Sequence, residues 1–213
     1  MNVVLFGAPG SGKGTQADKI SEFLSVKKIS LGDLLRKEVK AETLLGKEVK
    51  NYMDKGALAP DELVARIIEQ NLNSSGFLLD GYPRNLQQAE KLDDILKKQQ
   101  KELDMCIHFV VGSQMVIDRL SQRRVCSDCG VNYHLTNMPS KKEGLCDSCG
   151  GQLTQRKDDH TEVIKKRWDV FSAESKQVLD FYRGKNNLVE VNAEGDASEV
   201  LAIVKEKICL QNR

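Results

Sequence analysis

The chain has 213 residues, 40% hydrophobic and 30% charged, with 32 Lys+Arg against 31 Asp+Glu for a net charge of +1. That apolar fraction suffices for a packed core and argues against wholesale disorder, while so even a charge balance argues against a dedicated nucleic-acid or membrane-surface protein. No apolar run approaches the roughly 20 residues of a membrane span, and no basic segment precedes the first apolar residues, so the expectation is a cytoplasmic protein without a secretory signal.

Residues 2–6 read as a short buried strand: continuous, apolar, β-branched and ending at Gly7. A glycine-rich turn follows, then a helical pattern from Lys13 to Leu24 and a second short strand at residues 27–30. Residues 33–55 are charged and helical in pattern, with Gly46 the only interior breaker. Pro60, Asp61 and Glu62 open another helix, since proline and acids suit a first turn. Residues 77–79 form a third strand, 85–100 a polar-faced helix, 105–111 a fourth strand and 113–124 a helix. Residues 125–155 change character: cysteine pairs, glycines, Pro139 and weak periodicity mark a small separate insert. A long helix spans 161–183, with Asp159 and Glu162 at the spacing of a capping box. A fifth strand at 188–191 and a helix at 197–209 complete the chain. Strands alternating with helices imply an α/β fold with a parallel sheet covered on both faces.

The string from Gly7 to Lys13 fits G-x4-G-K and lies between a predicted strand and a predicted helix. Glycines let the backbone curl so that successive N–H groups point at phosphate oxygens. The helix N-terminus adds partial positive charge and Lys13 a full one. Gly14 occupies the usual Ser/Thr position and Thr15 comes one later, which weakens direct ligation of magnesium by a hydroxyl. Such a loop binds phosphates without naming the reaction.

The third strand runs into Asp80-Gly81-Tyr82-Pro83-Arg84. An acid at the carboxyl end of a parallel strand lies where open α/β sheets bind ligands, and can hold water on Mg²⁺ beside the phosphates. A turn or capping aspartate is the plainer alternative, against which Arg84 weighs. Arginine is sparse, yet Arg119, Arg123 and Arg124 are close together, and a continuous helix would put Arg119 and Arg123 on one face. Arg156 and Arg167 follow on either side of the long helix's start. Solvated surface charge would explain some of these in isolation. A ring of planar, permanently charged donors closing on a polyphosphate explains them together, and phosphoryl transfer needs mainly positioning and charge stabilisation.

Four of the six cysteines fall as Cys126-x2-Cys129 and Cys146-x2-Cys149, with 16 residues between the pairs. Paired knuckles of this kind present four thiolates to a tetrahedral zinc ion. With the shell closed, the site is structural. The competing reading is a zinc ribbon gripping nucleic acid. Lys141 and Lys142 are offset by Asp128, Glu143 and Asp147, and aromatic residues there are limited to Tyr133, so a stacking platform is lacking.

GAPGSGKGTQA, SLGDLLR, GFLLDGYPRN, DRLSQRR and RKDD occur in this order along the chain, and the sequence resembles adenylate kinases over its whole length. The four-cysteine insert is similar to that of the family's long-lid, zinc-bearing bacterial form. The resemblance implies a P-loop kinase core with a five-stranded parallel sheet at 1–29, 60–121 and 160–213. It implies a helical AMP-binding insert at 30–59 and a small zinc-binding lid at 122–159. It further implies reversible phosphoryl transfer from Mg–ATP to AMP giving two ADP, by a monomer using Mg²⁺ with ATP and structural Zn²⁺, with no nucleic-acid partner and no membrane.

Carried over position by position, Gly10, Ser11, Gly12, Lys13, Gly14 and Thr15 hold the ATP phosphates. Arg119 lies against the ATP adenine, and Arg123, Asn132, Tyr133 and Gly195 line the same site. Leu31, Arg36, Ala57, Leu58, Ala59, Gly81, Tyr82, Pro83, Arg84 and Gln88 line the AMP site, with Arg156 and Arg167 reaching the phosphates from the lid side. Lys13, Asp80, Arg84, Arg123, Arg156 and Arg167 form the catalytic set. Leu31 stands where the family usually has threonine, and Asn132 where the lid contact varies. Other nucleoside-monophosphate kinases, accepting CMP, UMP or GMP, are the alternative within the class. A P-loop protein with a nucleic-acid-binding ribbon is the alternative outside it.

Overall fold

A computed structural model describes residues 1–72 and 76–211. Among these, five parallel strands form one sheet in the order β2-β3-β1-β4-β8: β1 (Asn2–Gly7), β2 (Lys27–Ser30), β3 (Phe77–Asp80), β4 (Met105–Val110) and β8 (Leu188–Asn192). Alternation along β1 feeds two cores. Val4 and Phe6 join Ile29, Leu79 and Leu92 on one face, and Val3 and Leu5 join Leu78, Ile107 and Val204 on the other. The first core is closed by helices α4 (Asp61–Asn71), α5 (Leu86–Lys98) and α7 (Thr161–Gly184), the second by α1 (Lys13–Leu24) and α8 (Ala197–Gln211). Both faces of the sheet's centre are therefore covered, which is why β1, β3 and β4 read as largely apolar, while the outer strands β2 and β8 carry polar residues such as Lys27 and Glu190.

The chain leaves β1 for the outer strand β2, returns through β3 and then crosses to β4 on β1's other side. The carboxyl ends of β1 and β3 thus face a topological switch point, with Leu5 registered against Asp80.

Three local expectations are corrected. The helical stretch at 33–55 is two helices, α2 (Leu31–Lys40) and α3 (Leu44–Asp54). The break falls at residues 41–43, where the Thr43 hydroxyl caps α3 by accepting from Gly46 N at 2.9 Å. Gly46 is no breaker: a Cβ there would lie 2.1 Å from Glu38 O, so glycine permits the close approach of α3 to α2. Helix α6 (Ser113–Ser121) stops short, and Arg123 begins strand β5 (Arg123–Cys126), so Arg119 and Arg123 share no helix face. The weakly periodic insert holds a three-stranded antiparallel sheet, in which β5 pairs with β6 (Asn132–His134) and β7 (Leu153–Thr154). Strands of two to four residues are too short for a period to show. Lys40 at the end of α2 donates to Ser127 O in this insert at 3.2 Å, so the two excursions from the core touch.

Candidate active site

The loop between β1 and α1 is shaped by contacts that exclude side chains. Gly7 has φ +142°, and a Cβ there would meet Phe109 O at 2.7 Å; Gly10, at φ +81°, would meet Leu120 Cγ at 2.8 Å. Gly12, at φ 96°, is the N-cap of α1. The loop's own bonds, Ser11 N to Ala8 O at 3.1 Å and Thr15 N to Gly12 O at 3.0 Å, hold the curl. Lys13 folds back so that Nζ donates to Gly7 O and Ala8 O, both at 2.7 Å, and to Ser11 Oγ at 3.1 Å. Gly14 leaves space beside Asp80, whose Oδ2 would lie 3.7 Å from a Cβ at that position.

Opposite the loop, α2, α3, α4 and the segment 56–59 enclose a cavity. Leu31, Arg36, Ala57, Leu58, Ala59, Arg84, Gln88 and Arg167 line it, joined by Met53, Val64 and Asp158, which sequence reasoning did not single out as site residues. The Tyr82 side chain points away into the core and is fully buried. It stands among the predicted acceptor residues by its place in the chain. Arg84 Nε donates to Gly81 O at 2.8 Å, and Arg36 pairs with Asp33 at 2.5 Å. Burial of Leu31 within the apolar wall explains why leucine is accommodated there.

Arg123 and Arg167 are brought together by a residue the sequence suggested for another task. Asp159, 1% exposed, accepts from Arg123 Nε at 2.8 Å and Nη2 at 2.6 Å, and from Arg167 Nη1 at 3.4 Å. The expected capping box at the start of α7 is absent: His160 is the N-cap and no side chain caps the helix. Charge-assisted bonds to two guanidiniums outcompete a neutral backbone N–H for the carboxylate. Asp158 adds a pair to Arg167 at 2.9 Å. Its burial would raise the carboxyl pKa, but Arg167, Arg123 and Arg156 hold it below the usual carboxylate range. Asp158 and Asp159 are neighbours in the RKDD string, and nothing in their spacing along the chain signals either pairing. Arg156 Nη2 donates to Asn132 Oδ1 at 2.7 Å. Arg119 donates to Ala193 O at 2.9 Å and Ser11 O at 3.5 Å, tying the turn that contains Gly195 to the glycine loop.

The electrostatics are those of crowded cations. Burial, with Arg84, Arg167 and Arg123 nearby, pulls the Lys13 ammonium down to about 8, against the opposing pull of Asp80. Burial and Arg167 bring Arg84 to about 10, and burial with Arg123 and Arg36 brings Arg156 to about 9. Asp80 is raised by burial, which Lys13 opposes. Such a cluster is costly without an anion and favours one strongly.

In the insert, the four cysteine sulfurs all lie within 4.8 Å of one another, Cys126 to Cys149 at 3.4 Å and Cys129 to Cys146 at 3.5 Å. The two knuckles match: Gly130 N donates to Cys126 O at 3.1 Å and Gly150 N to Cys146 O at 2.8 Å. Sulfurs bound tetrahedrally at about 2.3 Å from zinc are about 3.8 Å apart, so this quartet fits the ion. The hydroxyl of Tyr133, a residue expected to line the ATP site, lies against Cys146 Sγ at 3.4 Å and accepts from Asp147 N at 2.7 Å. That bond draws the Cys146 thiol down to about 6.

An open parallel sheet with a lysine-bearing glycine loop at its switch point, facing a guanidinium cluster, defines a phosphotransferase of the P-loop class. A sequence model of adenylate kinase matches residues 5–187. The chain is 50% identical over 212 residues to the adenylate kinase of Methanocella arvoryzae, covering 98% of each chain. It is 45% identical over 210 residues to that of Bacillus subtilis, covering 97% of each. Against that of Archaeoglobus fulgidus it is 44% identical over 214 residues, covering 97% of this chain and 99% of the other. The chain belongs to the adenylate kinase family, a family of nucleoside-monophosphate kinases.

Proposed function

We propose that the protein transfers the γ-phosphoryl group of Mg–ATP to AMP, reversibly, giving two ADP, as a cytoplasmic monomer. The observation that carries this reading is that the cavity beside the glycine loop is lined by Arg84 and Arg167, whose charges, with that of Arg123, also bear on Lys13 in the loop. The loop from Gly10 to Thr15 receives the ATP phosphates and the cavity receives AMP. Transfer runs in line, with Lys13 and the arginines stabilising charge on the moving group. Asp80 offers carboxylate oxygens of the kind a hard cation takes, and holds the water shell of the Mg²⁺ that neutralises charge on ATP.

Residues 30–59 act as the acceptor-binding insert and 122–159 as a lid, on a core of 1–29, 60–121 and 160–213. Their closure excludes water from the phosphoryl group. The four cysteines hold a structural zinc ion that stiffens the lid, and no chemical step passes through it. Gln88 supplies base recognition: with one donor hydrogen and one lone pair still free, it matches the N1 acceptor and N6 amino group of adenine.

Measuring ADP formation with AMP, GMP, CMP and UMP tests the reading. AMP is expected to give the highest kcat/KM, and a preference for CMP or UMP would overturn it. In Leu31→Thr the KM for AMP should move by less than about tenfold, the scale of one neutral hydrogen bond.

A further inference from the structure

Gln88 lines the acceptor cavity and is only 2% exposed. Both ends of its carboxamide are held by groups whose hydrogen-bonding sense cannot reverse. The backbone N–H of Arg84 donates to Oε1 at 2.8 Å, and a backbone N–H can only donate. Nε2 donates to Asp61 Oδ1 at 2.7 Å, and a carboxylate can only accept. Asp61 is itself fixed, because both its oxygens accept from Asn85 Nδ2 at 3.1 Å. The Asn85 Oδ1 in turn caps α5 by accepting from Gln88 N at 2.8 Å. These side chains and backbone groups form one closed circuit at the start of α4 and α5.

We propose that Asp61 is a specificity-positioning residue: by accepting from Nε2 it fixes which end of the Gln88 amide donates, and so sets the enzyme against 6-oxopurine monophosphates. This rests on the reading of the cavity as the acceptor-base site. Adenine presents an acceptor at N1 and a donor at N6. Hypoxanthine has nearly the same outline but presents N1–H and a carbonyl oxygen, the same edge with both senses inverted. To receive it, the amide must turn over. Turning over sets Oε1 against the Asp61 carboxylate and Nε2 against the Arg84 N–H, so two buried bonds become two clashes. A site that leaves buried polar groups unpaired against the wrong base discriminates strongly.

The test compares kcat/KM for AMP and for inosine 5′-monophosphate in wild type, Asp61→Asn and Gln88→Ala. Asparagine keeps the shape of aspartate but can donate as well as accept, so one of the two clashes disappears. The AMP-to-inosine ratio should fall by about 10- to 100-fold in Asp61→Asn, the value of a hydrogen bond to a charged group. The change should lie in KM for the inosine nucleotide. A merely structural role for Asp61 would lower both substrates together and leave the ratio where it was, and that result would overturn the proposal. If Gln88→Ala collapses the ratio and Asp61→Asn does not, Gln88 reads the base but Asp61 does not orient it. If Gln88→Ala keeps the wild-type ratio, base reading by Gln88 fails first, and the proposal with it.

Discussion

Lys13 combines two roles, strapping the glycine loop through three bonds and carrying a charge that burial disfavours. The depressed pKa gives a signed expectation. Below about 8 Lys13 is protonated in both folded and unfolded states and its desolvation opposes folding. As pH rises from about 8 towards 10.5 the folded state alone loses the proton, so this group's penalty on stability is relieved. Bound polyphosphate reverses the preference and raises the pKa. At pH 8, nucleotide binding should therefore take up about half a proton at Lys13, read by calorimetry in buffers of different ionisation enthalpy. Lys13→Ala should lose that uptake, lower kcat by about 10²–10³-fold, and keep its fold. Equal uptake in the two proteins would place the titration elsewhere, and an unchanged kcat would remove Lys13 from the chemistry.

At the scale of elements, the insert and the core differ in what holds them. Among the described residues the core packs two large apolar clusters and a smaller one of Ala8, Val116, Leu120 and Ile164, whereas the insert's own cluster is Cys126, Tyr133 and Cys146 with Leu153. So small a cluster cannot support a fold alone, and the binding energy of the proposed zinc ion would become folding energy there. Cys129→Ser or Cys146→Ser should raise amide exchange across 122–159 while the core strands stay protected. Uniform loss of protection, or none, would contradict a local metal-dependent fold. Cobalt substitution should leave kcat within a few-fold. The sequence made the outline of these elements legible, because Gly7, which ends β1, and Pro60, which precedes α4, act over a few positions. It misplaced the end of α6 and the break after Lys40, since both are set by pairing partners: β5 with β6 and β7, and Thr43 with Gly46.

Across the whole molecule, the cationic cluster is assembled from the glycine loop, the β3–α5 turn, the insert and α7, and acids hold part of it in place. Asp159→Asn should lower Tm, because a buried pair broken on one side costs about 3–5 kcal/mol. Saturating Mg–ATP should restore part of that loss by supplying negative charge. For wild type, nucleotide at a hundredfold over Kd contributes about 2.7 kcal/mol, or about 5–10 °C in Tm for a chain of this size. Thermal melts of both proteins with and without nucleotide check this. An Asp159→Asn protein that melts with wild type would show that the arginines need no acid to hold them.

The sequence by itself determined the parallel α/β core, the glycine loop between β1 and α1, and the cysteine quartet. Each is written in short spacings or in unbroken apolar runs whose physical consequence is local. Only the tertiary structure decided what those residues touch. Asp159 meets Arg123 across 36 residues, Asp61 meets Gln88 across 27, and Tyr133 turns to Cys146 across 13. A carboxylate or hydroxyl has the same local propensities whichever partner it finds. The choice is made by burial, which penalises every unpaired polar group and leaves each one the partner that the packing brings within reach.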